Sequence, residues 1–79
     1  MPRLLRILWL DAYAENDWCF DRPEIEPQRC VTVGYLMAEN DSYLLLAATL
    51  GLGDHQSNAR FAIPKGCILE RQDLGGLPA

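Results

Sequence analysis

Apolar and polar residues alternate along several stretches of the chain, and a period of two marks half-buried β-strands rather than helices. Residues 4–13 place Leu5, Ile7 and Trp9 on one parity and Arg6 on the other, which predicts a first strand with one strongly apolar face. Residues 29–39 place Val31, Val33, Tyr35 and Met37 on one parity and Cys30, Thr32, Gly34 and Ala38 on the other, which predicts a second. Gly34 inside that run marks a bulge or a sharp bend. Residues 39–42, Glu-Asn-Asp-Ser, form a tight polar turn.

Residues 43–50, Tyr-Leu-Leu-Leu-Ala-Ala-Thr-Leu, admit two readings. They contain good helix formers, with Ser42 as a possible cap and Gly51 as a possible stop. A strand is the expectation, because the segment is short, lacks a Glu or Gln for a capping box, and directly follows a strand and a turn. A polar hairpin loop follows over 51–58. Residues 59–63 form a fourth strand with Phe61 and Ile63 on one face, ended by Pro64, which has no N–H for a ladder. A fifth runs over 67–71. Residues 14–28 lose all periodicity and carry two prolines; they read as a long loop whose Trp18 and Phe20 fold back as a lid on the core.

Five short strands with a long first loop and a one-turn break before the last describe a mostly β chain: a single small five-stranded β-barrel, Sm-like or Src-homology-like. Closure would remove the exposed edges that trouble small sheets. The expected domain covers 1–72, with 73–79 a flexible tail rich in Gly and ending near a Pro. A chain of 79 residues has core enough for one domain only.

Charge narrows the functions. The net charge is −4, and Asp11, Glu15, Asp17, Asp21, Glu24 and Glu26 crowd one stretch opposed only by Arg22. Such a surface repels phosphate, and the basic residues are spread end to end, so general nucleic-acid binding is not expected. Cys19, Cys30 and Cys67 are odd in number and widely spaced, as in a reducing cytoplasm rather than a disulfide framework. The apolar start is interrupted by Arg6 and ended by Asp11, so it reads as a strand and not a signal peptide. No apolar run approaches a membrane span, and a soluble protein is expected.

Candidate chemistry is sparse. His55 is the only histidine, and no nucleophile or oxyanion motif stands beside it in sequence. No C-x-x-C pair suggests zinc, so neither a metal nor a cofactor is expected. Residues 51–53, Gly-Leu-Gly, lack the Gly-Lys-Ser/Thr of a phosphate loop. Two groups remain as candidate ligand-binding residues. Arg60 and Lys65 bracket the fourth strand and could hold an anion; Trp9, Asp11 and Trp18 could form a polar-aromatic pocket, although such residues are more often core anchors. A third group, Leu44, Leu46 and Ala48, makes the third strand apolar on both faces and is the expected interface of a homo-oligomer, since 49% hydrophobic residues exceed what one small core hides.

The Trp9-Leu10-Asp11-Ala12 start, Trp18 seven residues after Asp11, the Val31-Thr32-Val33-Gly34-Tyr35-Leu36 strand and the Ala62-Ile63-Pro64-Lys65-Gly66-Cys67-Ile68 close resemble small accessory proteins of tailed bacteriophages and prophages. The likeness runs from about residue 4 to residue 71 and carries no catalytic motif; Arg60 departs from the acidic or small residues usual near the fourth strand. The resemblance implies a phage-encoded, non-enzymatic protein acting in the host bacterial cytoplasm. The leading expectation is a protein-interaction module for a host or phage protein, with the acidic loop or an open strand edge as its surface. The alternative is an oligomeric binder that sequesters a small anion such as a nucleotide signal, in a counter-defence role. An Sm-like RNA binder rests on fold analogy alone.

Overall fold

The computed structural model describes residues 2–12, 18, 26–54 and 56–76. Five strands form one antiparallel sheet: β1 (Arg3–Asp11), β2 (Gln28–Glu39), β3 (Tyr43–Leu50), β4 (Ser57–Pro64) and β5 (Ile68–Gly76), with a single 3₁₀ turn, Lys65–Cys67, before the last. Across the sheet the order is β4-β3-β2-β1-β5. Residues 43–50 are therefore a strand and not the alternative helix. Asn40 explains why the chain reverses before them: its Oδ1 accepts from the amides of Ser42 and Tyr43, both within 2.9 Å, while its own amide donates to the Tyr43 carbonyl.

The sheet does not close into the expected barrel. No ladder joins β4 to β5, which remain its two outermost strands. The sheet is nevertheless strongly curled. Four residue steps from Pro64 to Ile68 can span at most about 14 Å, whereas four strand spacings in a flat sheet would hold β4 and β5 about 19 Å apart.

The core fills the concave side. Leu5, Ile7 and Trp9 of β1 pack with Leu44 and Leu46 of β3 and Ile63 of β4, all buried, with Cys30, Leu36 and Ile68 half-buried against them. Fully burying such side chains stabilises the fold by roughly 1.5–3 kcal/mol each. Pairing of Leu5 with Gly34, Ile7 with Thr32 and Trp9 with Cys30 puts the small residues of β2 on this concave side. Val31 and Val33 consequently face outward and stay about half exposed.

Gly34 is not the site of a bulge. The β2–β3 register shifts between Leu36 and Ala38 instead. At Gly34 the adjoining strand comes close: a Cβ there would lie 3.1 Å from both the Ala47 carbonyl oxygen and the Leu46 Cβ.

Two other boundaries move. β5 continues through Gly76, past the expected start of the tail at residue 73, because Asp73 is tied into the sheet by Arg3. Trp18 does not fold back as a lid, being 98% exposed. Phe20 and the rest of the acidic loop apart from Trp18, Glu26, Pro27 and Gln28 lie outside the described residues, as do Cys19, His55 and residues 77–79.

Candidate functional site

Two groups of charged side chains form clamps on the curled sheet. Glu39, at the end of β2, accepts from both Nη atoms of Arg71 on β5 at 2.9 and 3.1 Å and lies 2.8 Å from Lys65 Nζ in the 3₁₀ turn. β2 and β5 flank β1 on opposite sides, so this ion pair reaches across the concavity. Hydrogen bonds from Arg71 and then Lys65 lower the Glu39 pKa to about 2. At the opposite end of β5, Arg3 binds Asp73 through Nε and Nη2 at 2.8–3.2 Å. That hydrogen bond, with a second from the Gly75 amide, lowers the Asp73 pKa. Gly75 takes φ +114° in the irregular segment after it, a conformation glycine alone adopts easily.

These partners decide the fate of the expected ligand groups. Lys65 is committed to Glu39. Arg60 pairs in register with Ala47, which pairs with Tyr35 and so belongs to the outer side of the sheet. Trp9 is buried on the concave side, with its Nε1 donating to Thr32 Oγ1 at 2.9 Å. Asp11 ends β1 and accepts from the neighbouring Ala12 amide. The sheet therefore does not gather Arg60, Lys65, Trp9, Asp11 and Trp18 into one pocket. Trp9 instead has the core-anchor role, its indole N–H satisfied by a hydroxyl.

The expected oligomer interface is corrected in the same way. Leu44 and Leu46 are 0% and 1% exposed inside this chain's own core, so they have no surface to offer a partner. Ala48, on the same parity, lies beyond the core and is exposed.

What the sheet presents instead is its outer side. Val31 pairs with Leu8, Val33 with Arg6, and Arg29 with Leu10, so an apolar stripe runs across β1 and β2 between two arginines. Arg60 stands on the same side two strands away from Tyr35. Glu70, opposite Leu8 on β5, lies 3.9 Å from Arg6 at the stripe's margin. Arg is enriched and Lys depleted at protein interfaces relative to the rest of the surface. This surface was hidden in the sequence by its own regularity: the alternation in β2 shows that one face is buried without showing which.

Among the described residues no group of His, Cys, Asp and Glu side chains could hold a metal ion. No helix of the described residues is long and apolar enough to cross a membrane. Comparison of the chain with protein-family models, with curated proteins and with solved structures finds no match in any of the three.

Proposed function

We propose that this chain is a non-enzymatic protein-interaction module that binds its partner on the outer side of the sheet. The observation behind the reading is the half-exposed pair Val31 and Val33, 53% and 49% accessible, seated between Leu8 and the arginines Arg6 and Arg29. Isolated exposed valines need no explanation, but an apolar stripe bordered by charges does. The partner surface that fits is an apolar patch bordered by carboxylates, which would meet the arginines by charge-assisted hydrogen bonds.

The resemblance to phage accessory proteins supports a host or phage protein as that partner, in the bacterial cytoplasm. The sheet order, with one 3₁₀ turn between β4 and β5, supports a relationship to the Sm-like and Src-homology-like small barrels, in an open form.

The test is affinity capture from a lysate of the encoding cells, with wild-type protein compared against Val31→Lys/Val33→Lys. Stoichiometric recovery of one protein by the wild type and its loss with the folded double variant would support the reading. Equal recovery by both, or recovery of no partner, would refute it.

A further inference from the structure

β4 is an outermost strand, and among the described residues nothing pairs with its free hydrogen-bonding edge. The Lys65 amide donates to the Ser42 carbonyl at 2.8 Å, and this bond sets the phase of the β3–β4 ladder. Tyr43 and Pro64 are then a non-hydrogen-bonded pair, and alternation makes Leu44–Ile63 and Leu46–Phe61 hydrogen-bonded pairs. Phe61 and Ile63 therefore spend their amides and carbonyls on β3. Arg60 and Ala62 direct theirs outward, and Pro64 directs its carbonyl outward. Pro64 sits where its missing N–H costs no internal bond.

The two edges of the sheet differ. β5 carries extra residues at two register shifts, Leu69 and Leu74, and the charged side chains Glu70, Arg71 and Asp73, all devices that discourage strand addition. From Arg60 to Pro64 the β4 edge pairs with β3 without a register shift, and the one positive-φ residue of β4, Ala59, lies before it.

We propose that a second copy of this chain pairs with β4 edge to edge, antiparallel, about a two-fold axis at Ala62. Each Ala62 amide donates to the Ala62 carbonyl of the other copy, and each Arg60 amide to the other copy's Pro64 carbonyl. The four hydrogen bonds use every outward amide from Arg60 to Pro64 and ask none of Pro64. On the concave side Phe61, 42% exposed in the single chain, stands opposite Ile63 of the other copy. On the outer side only two methyl groups meet at the axis, and the two Arg60 side chains are four residues apart, about 14 Å. The interface is self-complementary and closed, and it joins two five-stranded sheets into one. It is independent of the outer-side reading, because it rests on the backbone of β4.

Size exclusion with light scattering at high micromolar concentration tests it. The wild type should have twice the chain mass of 8.9 kDa. Ala62→Asp and Ala62→Lys should each run at the single-chain mass with an unchanged circular dichroism spectrum, since each sets like charges face to face. Their equimolar mixture should regain the doubled mass. A wild type at any other mass, an Ala62→Asp variant that stays dimeric, or a mixture that stays monomeric would overturn the proposal. Hydrogen exchange on the wild type needs no variant: the Arg60 and Ala62 amides should lose protection on dilution while Phe61 and Ile63 keep theirs. Protection independent of concentration at all four would also overturn it.

Discussion

The rings of Trp9 and Phe61 lie 5.4 Å apart, centroid to centroid, and tilted by 52°, although two strands separate β1 from β4 in the sheet. In a flat sheet the same strands would be about 14 Å apart. The contact is the curl made visible, and Trp9 is its anchor. Trp9→Ala should cost about 3–5 kcal/mol. Thr32→Val, which keeps the shape but strands the indole N–H, should cost about 1–3 kcal/mol. Urea unfolding of the two variants would measure both, and an unchanged midpoint for Thr32→Val would show that the indole finds another acceptor.

Leu46 and Ala48 share a parity on β3 and differ in burial. Leu46→Glu should therefore unfold the chain, since an unpaired carboxylate replaces a buried core side chain. Ala48→Glu should leave it folded. Far-ultraviolet circular dichroism separates the two outcomes. A folded Leu46→Glu protein would mean that Leu46 faces solvent or a partner.

Glu39 links stability to pH. Its pKa is about 2 in the folded chain against an ordinary 4.5, so the unfolded chain binds more protons between those values. The stabilisation from the clamp is complete above about pH 4.5 and is lost as pH falls toward 2. Asp73, also lowered, acts in the same direction. Melting temperatures should fall across this interval, and Glu39→Gln should flatten the fall while leaving the part due to Asp73. A Glu39→Gln profile parallel to the wild type would show that the clamp does not hold in solution.

Gly34 is tested by the addition of one methyl group. Gly34→Ala puts a Cβ 3.1 Å from the Ala47 carbonyl oxygen and the Leu46 Cβ, so β3 must give by a few tenths of an ångström. The cost should be about 1–3 kcal/mol, the range for overpacking. A neutral result would show that the ladder relaxes freely there.

Much of the sheet was legible in the sequence. Alternation located β1 and β2, and the bounds of β3 coincide with the expected 43–50 because Asn40 and Gly51 punctuate it. Other features depend on partners distant in the chain. Arg3 holds Asp73 across 70 positions, so residues that look like a tail become strand. Glu39 reaches Arg71 across 32, a clamp no local pattern reveals. The alternation in β2 leaves its buried face open, and pairing decides it: opposite Leu5, Ile7 and Trp9 stand the small residues Gly34, Thr32 and Cys30, so these turn inward and the valines turn out. The sequence pattern points to closure because five strands of this length can form a barrel, but β5 carries two register shifts and no ladder joins it to β4.

The outer side of β2 is the surface on which the functional reading stands, and thiol labelling of Val33→Cys, followed at that residue by mass spectrometry, measures it directly. In the isolated protein the introduced thiol should react at close to the rate of the unfolded chain, and in a lysate of the encoding cells it should be protected. Slow labelling of the isolated protein would contradict the exposure of this side, and equal, fast labelling in both settings would contradict its role in binding a partner.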